Sequence, residues 1–120
     1  MFFGLLFTLG CATTADIVGN SCPDDSGPVD ASRQSLSARD LGGGTIAVTH
    51  TCADVNACAG DGDYQVNTDI SGDRIQVDYD YNGDRCDLTL PSDLYYEIGG
   101  IGSGSWTVSG EGVTTTVTVE

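Results

Sequence analysis

Apolar and polar residues alternate along the chain from Thr45 to its end, with the period expected of half-buried β-strands. Glycine, asparagine, aspartate or proline separates the alternating runs, and their spacing of about ten residues is typical of β-sandwiches. No apolar repeat of helical period extends beyond two turns. The pattern therefore predicts an all-β fold, a small antiparallel β-sandwich of six to seven strands, with strands at 45–52, 64–70, 74–81, 85–90, 94–98, 105–109 and 113–119.

The Asn-Gly pair at 82–83 predicts a two-residue type I′ hairpin between the runs 74–81 and 85–90, because both central positions of that turn need positive φ. In this register Asp78 lies opposite Asp87. One face of the hairpin then holds the apolar residues of both runs, which are Ile75, Val77, Tyr79, Tyr81, Cys86, Leu88 and Leu90.

The segment before the alternating region is poor in apolar residues and rich in turn formers, with Cys22-Pro23-Asp24-Asp25 followed later by three consecutive glycines at 42–44. This composition predicts a tether, with one short helical turn around 35–40. The expected organisation is an export signal over 1–10, a lipid-anchored tether over 11–43 and a β-sandwich domain over 44–120.

The first ten residues form an uncharged apolar run that ends at Cys11. The run is shorter than the ~20 residues that span a bilayer, but it suits the core of an export signal. Residues 8–11, Thr-Leu-Gly-Cys, resemble the lipobox of bacterial lipoproteins, with Gly10 in the usual place and Thr8 where leucine is usual. The resemblance implies a lipid on Cys11 and an exported protein anchored to a membrane at the cell surface, in the outer membrane or in the periplasm. An ordinary cleaved signal and a plain apolar N-terminus are the alternatives.

The four remaining cysteines indicate two disulfide bonds, as expected in a small exported domain. The favoured pairs are Cys58 with Cys86 and Cys22 with Cys52, although four cysteines allow three connectivities. The first bridge closes a loop worth roughly 3 kcal/mol in the chain-entropy model. Zinc is the competing explanation, and the spacing disfavours it because there is no CxxC motif and His50 is the sole histidine.

The charge balance disfavours nucleic acid as a partner. The chain has 18 acidic residues against 4 basic ones, a net charge of −14, and all four bases are arginine. Such a surface repels phosphate backbones. Cationic partners, divalent metals or a saline medium suit it better, and a compositional bias of the genome explains the missing lysines equally well.

The acidic turn at 78–84, DYDYNGD, matches the first half of a calcium-loop pattern. Thr89 stands where an EF-hand needs a bidentate acid, so a hairpin explains the same residues better. Two aspartates opposite each other nevertheless destabilise a sheet, and a cation would relieve them. Weak calcium binding is therefore a hypothesis, with no other cofactor expected, and its candidate ligands are Asp78, Asp87, Asp61 and Asp63.

No motif in the sequence indicates an enzyme, since the GxSxG, HExxH and phosphate-loop patterns are all missing. The parity of His50 places it on the inner face of its strand, which favours a structural role over a general base. Most aromatic residues have inward parity too. Tyr95 is the exception, which leaves sugar binding as a minor alternative.

Residues 90–96 (LPSDLYY) and 98–108 (IGGIGSGSWTV) resemble the end of a fibronectin type III or related immunoglobulin-like domain, with Trp106 as the aromatic that starts a strand. The resemblance implies a binding or spacer role by analogy. We therefore expect a non-catalytic surface module on a lipid anchor, with an unknown protein or glycan partner. The alternative is a calcium- or carbohydrate-binding module at an acidic loop end.

Overall fold

The computed structural model describes residues 13–22 and 31–120, so the expected export signal at 1–10 and the lipidation site Cys11 lie outside the described residues. A short 3-10 helix spans Ala31–Arg33. The described strands are β1 (Thr13–Gly19), β2 (Ser35–Gly42), β3 (Thr45–Asn56), β4 (Tyr64–Ser71), β5 (Arg74–Tyr81), β6 (Thr89–Ile98), β7 (Gly104–Gly110) and β8 (Val113–Val119). Within the described ranges, no helix has the length and apolar character needed to cross a membrane.

The predicted all-β fold is confirmed, but the strands form one mixed sheet rather than a clear sandwich of six to seven strands. The order across the sheet is β2-β3-β6-β1-β4-β5-β7-β8, and the β5–β7 pair is parallel. The sheet is nearly barrel-shaped, since its edge strands β2 and β8 lie beside each other. At that seam the backbone N–H of Glu120 donates to the Asp40 carboxylate at 3.1 Å.

Strand β1 connects the two halves of the sheet. Its first part, from Thr13 to Ala15, pairs with β4, whereas its second part, from Asp16 to Gly19, pairs with β6. A strand that changes partners in this way bends the sheet around a common interior, and Ala15 is fully buried at the crossing point.

The core forms where the alternating apolar residues of both halves meet. The predicted inner positions of 45–52 and 94–98 are confirmed as buried. In the other predicted strands the buried inner positions are Val66, Ile75, Val77, Val108, Val117 and Val119, and the rest are partly or fully exposed. The largest fully buried side chains are Tyr96, Ile46, Ile75, Leu94, Ile98, His50, Val48, Val66, Val77, Val108 and Cys52.

The predicted tether over 11–43 contains two strands of the sheet, β1 and β2, and the helical turn expected around 35–40 is extended strand. The inward positions of β2 are Leu36, Ala38 and Asp40, only one of them a large apolar residue, so its alternation is faint. The triple glycine joins β2 to β3 rather than ending a tether. Gly42 pairs with Thr45 across a two-residue turn whose two glycines both have positive φ, as a type I′ turn requires.

The hairpin predicted at 82–83 is wrong. Strand β5 has the predicted bounds, but its antiparallel partner is β4, joined through Gly72 and Asp73. Gly72 has a φ of +62° whereas Asp73 has a negative φ, the signs of a type II′ turn. Both Gly72-Asp73 and Asn82-Gly83 could form a two-residue hairpin turn beside β5. The Gly72-Asp73 turn forms, because it pairs two longer alternating runs.

The strand predicted at 85–90 is also wrong, because residues 82–88 are irregular. The Asn56 side chain takes the place of strand pairing there. Its amide accepts hydrogen bonds from the backbone N–H of Cys86 and of Cys58, at 3.1 and 3.0 Å, and donates to the Cys86 carbonyl at 3.1 Å. Leu88 and Leu90, expected on the inner face, are 60% and 45% exposed.

Two disulfide bonds brace the fold. They join Cys22 to Cys52 and Cys58 to Cys86, the pairs favoured from the sequence. The Cα–Cα distances of 5.1 and 5.6 Å lie in the normal range for disulfides. The two bonds are consistent with an exported protein.

Candidate functional site

A groove of about 600 Å³ lies between the second half of β1 and the first half of β6. Apolar atoms make up most of its wall. We call it the β1–β6 groove, and its lining residues are Ile17, Val18, Gly19, Asn20, Leu90, Pro91 and Ser92.

The groove opens because β1 leaves β6 early. The ladder between them ends at a bulge, where Gly19 lies opposite Asp93. From there β6 pairs with β3 alone among the described strands. The edge of β6 over 89–92 that faces the groove therefore has no described strand paired to it. Pro91 suits such an edge, because proline cannot donate to a neighbouring strand.

A buried carboxylate and a disulfide fix the wall of the groove where β1 ends. Asp93 is 6% exposed. Its Oδ2 accepts hydrogen bonds from the Ser21 backbone N–H at 3.0 Å and from the Ser21 hydroxyl, while its Oδ1 accepts from the Cys52 N–H at 3.1 Å. Cys52 has a φ of +60° at the β3 bulge and is bonded to Cys22. These contacts hold the end of β1 against β3 and β6.

The groove also gathers exposed apolar side chains. Five large apolar residues of the described chain are exposed, namely Val18, Leu41, Ile70, Leu88 and Leu90. Val18 and Leu90 line the groove, and Leu88 immediately precedes β6. Two of the five exposed apolar side chains thus lie together in one groove of an acidic protein, and adjacent exposed apolar side chains are characteristic of an interaction site.

A second feature lies on the outer face of the sheet, around Tyr95. Its cross-strand neighbours are Thr49 on β3 and Asp16 on β1. The Tyr95 hydroxyl donates a 2.8 Å hydrogen bond to Oε2 of Glu97, two residues further on, so the ring lies along the strand. That bond raises the pKa of Tyr95, whereas the charge of Arg39 and a hydrogen bond from it act in the opposite direction.

Two shallow depressions flank Tyr95. We call the surface that they form the Tyr95 face. The depression toward β1 has a volume of about 220 Å³ and is lined by Thr13, Thr14, Asp16, Tyr95, Tyr96 and Glu97. The depression toward β2 has a volume of about 170 Å³ and is lined by Ser37, Ala38, Arg39, Ala47 and Thr49.

The histidine is enclosed in a buried chain of polar groups. His50 is fully buried; its Nδ1 lies 2.7 Å from the Tyr79 hydroxyl, and its Nε2 lies 2.6 Å from Oε1 of Gln34. The Tyr79 hydroxyl lies 2.9 Å from that of Tyr96. These contacts suit a neutral ring whose Nε2–H donates to Gln34 and whose Nδ1 accepts from Tyr79.

Burial sets the protonation of this chain. Desolvation lowers the pKa of His50 to about 4, and the negative charge of Asp93 opposes that shift. Desolvation raises the pKa of Tyr79 and takes that of Tyr96 to about 12. The neutral forms are therefore the stable ones, as expected of a structural network.

Asp78 and Asp87 are not brought together. Asp78 lies opposite Asn67 on β4, and Asp87 lies in the irregular segment 82–88. The predicted repulsion between them, which motivated the calcium hypothesis, is therefore missing from this fold. In the described part of the chain, no group of three or more histidine, cysteine or acidic side chains is arranged to hold a metal.

Asp61 and Asp63 shape the loop that they occupy. Oδ1 of Asp61 accepts a 2.8 Å hydrogen bond from the backbone N–H of Ile17, and Oδ2 of Asp63 accepts one of 2.9 Å from Gly60. The Asp63 carbonyl accepts another from Asn82. These contacts give both residues a structural role between β1 and the loop that follows β5.

No protein-family model, curated protein or solved structure matches this chain.

The sequence indicated the Tyr95 face in part, since the parity of Tyr95 placed that ring outside. It did not indicate the groove. Val18 lies in the segment expected to be a tether, and the predicted hairpin places Leu90 on an inner face. The available signal was Pro91 immediately after Leu90, because proline within an alternating run marks a strand edge.

Proposed function

We propose that this chain is an exported, lipid-anchored protein whose β domain is a non-catalytic binding module, and that it binds an extended segment of a protein partner in the β1–β6 groove. The observation that supports it most directly is the coincidence of exposed apolar side chains with an unpaired strand edge on an otherwise acidic surface. The lipobox-like Cys11 supplies the anchor in this proposal, and nucleic acid is not among the partners.

Binding rather than catalysis is favoured by the position of His50. A general base has to reach the proton that it removes. Both ring nitrogens of His50 are engaged by Gln34 and Tyr79, and its side chain is sealed in the core. The immunoglobulin-like resemblance of 90–108 is in keeping with a binding or spacer role.

The partner segment is expected to be extended and to alternate apolar with basic residues. An extended peptide can hydrogen-bond to the free edge of β6, in the manner of β-strand addition. Its apolar side chains would cover Val18 and Leu90, at about 1 kcal/mol for each half-exposed side chain buried. Its basic side chains would complement a net charge of −14, which also accelerates encounter.

The test uses short synthetic peptides titrated into the isotope-labelled native chain and followed by amide NMR shifts. A peptide that alternates lysine and valine should shift resonances at 17–20 and 89–92. Leu90→Ser should weaken its binding about fivefold, equivalent to the loss of about 1 kcal/mol. Ile70→Ser is the matched control, since Ile70 has the same 45% exposure but lies at the end of β4.

Two further peptides test whether binding in the groove needs both basic and apolar side chains. A lysine–serine peptide tests charge alone, and a glutamate–valine peptide tests apolar contact against the acidic field. Equal affinity for the lysine–serine peptide, or shifts spread over the acidic surface, would rule out the groove as a binding site.

The anchor is tested separately by mass spectrometry of the native protein extracted from membranes. A diacylglyceryl adduct on Cys11 is expected, and Cys11→Ser should move the protein to the soluble fraction. An unmodified Cys11 in the membrane-associated protein would refute the lipoprotein proposal without affecting the groove.

A further inference from the structure

The outer face around Tyr95 has the composition and layout of a sugar site. We infer that the Tyr95 face binds a neutral pyranose oligosaccharide, laid across the strands with one of its rings packed on Tyr95. This site shares no lining residue with the β1–β6 groove and rests on separate observations.

The first observation is the orientation of the Tyr95 side chain. Tyr95 is partly exposed, and its hydroxyl is held by Glu97, two residues further on, so the ring lies along the outer surface of the strand. The apolar C–H face of a pyranose packs on such a ring. Because two polar groups restrain the hydroxyl, little side-chain freedom remains to be lost on binding.

The second observation is the mixture of donors and acceptors around that ring. Sugar hydroxyls donate and accept at once, so a site for them needs both kinds of group close together. Arg39 supplies donors, Glu97 and Asp16 supply carboxylate acceptors, and Thr49 supplies a hydroxyl beside the ring. A site for a simple cation or anion would instead favour one charge sign.

The third observation is the spacing of the two depressions. They lie on either side of β6, one toward β1 and the other toward β2. Neighbouring strands are about 4.8 Å apart, so the depressions are roughly 10 Å apart, a distance that a short oligosaccharide spans. Ala47, on the strand β3 between β2 and β6, lies at the floor of the depression toward β2, and its small side chain is buried.

The charge of the protein selects the class of glycan. Asp16 and Glu97 flank the ring, and the chain as a whole has a net charge of −14. Carboxylated or sulfated glycans would be repelled at this surface. Neutral sugars are not repelled by this charge, so they are the class of glycan expected to bind.

The test is a microarray of neutral and acidic glycans probed with the labelled native chain and three variants. Native protein should bind at least one neutral glycan. Tyr95→Ala should reduce that binding about tenfold, the equivalent of one aromatic stacking contact. Tyr95→Phe keeps the ring and should retain most of the binding.

The third variant, Tyr81→Ala, is the control for loss of a partly exposed tyrosine elsewhere on the protein. It should bind like the native chain, and thermal melts of all variants check that each is folded. Three results would overturn the inference: no glycan bound, equal binding by a folded Tyr95→Ala, or binding confined to acidic glycans.

Discussion

Three buried polar side chains, those of His50, Asn56 and Asp93, determine local geometry that apolar packing alone would not. Asn56 replaces strand pairing beside Cys86, and Asp93 holds the end of β1 against the β3 bulge. A buried polar group is tolerated when its hydrogen bonds are satisfied, and no buried side-chain nitrogen or oxygen in the described residues lacks a partner.

The hydrogen-bonding roles of these side chains could not be predicted from the sequence, because their partners lie far away along the chain. Parity placed His50 on the inner face, but its partner Gln34 lay in the expected tether. The Asp93 carboxylate contacts groups that are 41 and 72 residues away along the chain. Contacts between such distant positions depend on topology, and alternation specifies strands without specifying which strands become neighbours.

The buried histidine predicts a particular loss of stability in mild acid. The pKa of His50 in the folded protein is about 4, below its ordinary value of 6.5, because burial disfavours the charged ring. Between these two pH values the unfolded chain binds a proton that the folded chain does not. The stabilisation is therefore fully present above pH 6.5 and is lost as the pH falls toward 4, by roughly 2 to 3 kcal/mol.

Urea unfolding at a series of pH values measures this effect, with His50→Gln as the control. Glutamine does not titrate, so the variant should show a smaller loss of stability between pH 6.5 and 4, whatever its absolute stability. The carboxylates contribute equally to both proteins and cancel in the difference. Parallel pH profiles would refute the assignment of the acid sensitivity to His50.

At the scale of elements, the alternation of apolar and polar residues predicted strands correctly where one face of the strand is clearly buried. Strands β5 and β8 have the bounds predicted from the pattern. It failed for β2, whose inward positions are mostly small or polar, and at 82–88, where the Asn56 side chain and a disulfide replace a ladder. The turns were harder still, because several glycine-containing pairs compete for two-residue hairpins and only long-range pairing decides among them.

The β2–β3 turn offers a matched pair of substitutions. Gly43 and Gly44 have φ values of +66° and +80°, so alanine at either costs about 1 to 2 kcal/mol for the left-handed backbone. A side chain at Gly44 would in addition meet the Ile101 carbonyl oxygen at 2.9 Å, whereas one at Gly43 meets nothing within 4 Å. The Ile101 N–H also donates to the Gly44 carbonyl at 2.8 Å.

Denaturant unfolding should therefore rank Gly44→Ala as less stable than Gly43→Ala by about 1 kcal/mol or more, the cost of moving a packed backbone or losing its hydrogen bond. The shared cost of positive φ cancels in this comparison. Equal stabilities would show that the contact between the β2–β3 turn and Ile101 does not constrain the hairpin.

At the scale of the whole molecule, the sheet curves nearly into a closed shape. The chain has a net charge of −14, and most acidic side chains of the described residues are exposed. The net charge follows directly from the composition. The alternation of apolar and polar residues, together with the cysteines, predicted an all-β fold with two disulfide bonds. The nearly closed mixed sheet was not foreseen, because it depends on β1 dividing its pairing between β4 and β6. Nothing in seven residues of β1 reveals two partners.

Self-repulsion of this charge predicts that salt stabilises the fold. Folding brings the carboxylates closer together, and salt weakens their repulsion because the screening length shrinks from about 10 Å at 0.1 M to about 3 Å at 1 M. We expect the melting temperature to rise by roughly 5 °C from low salt to 1 M sodium chloride, the equivalent of about 1 kcal/mol for a chain of this size. Circular dichroism melts at a series of salt concentrations measure this change in melting temperature.

A variant with the exposed residues Asp69, Asp73 and Asp78 changed to asparagine has less repulsion to screen, so its melting temperature should depend less steeply on salt. The comparison removes effects of sodium chloride on apolar packing, which are common to both proteins. Identical slopes, or a native melting temperature that falls as salt is added, would show that surface charge does not limit the stability of this fold.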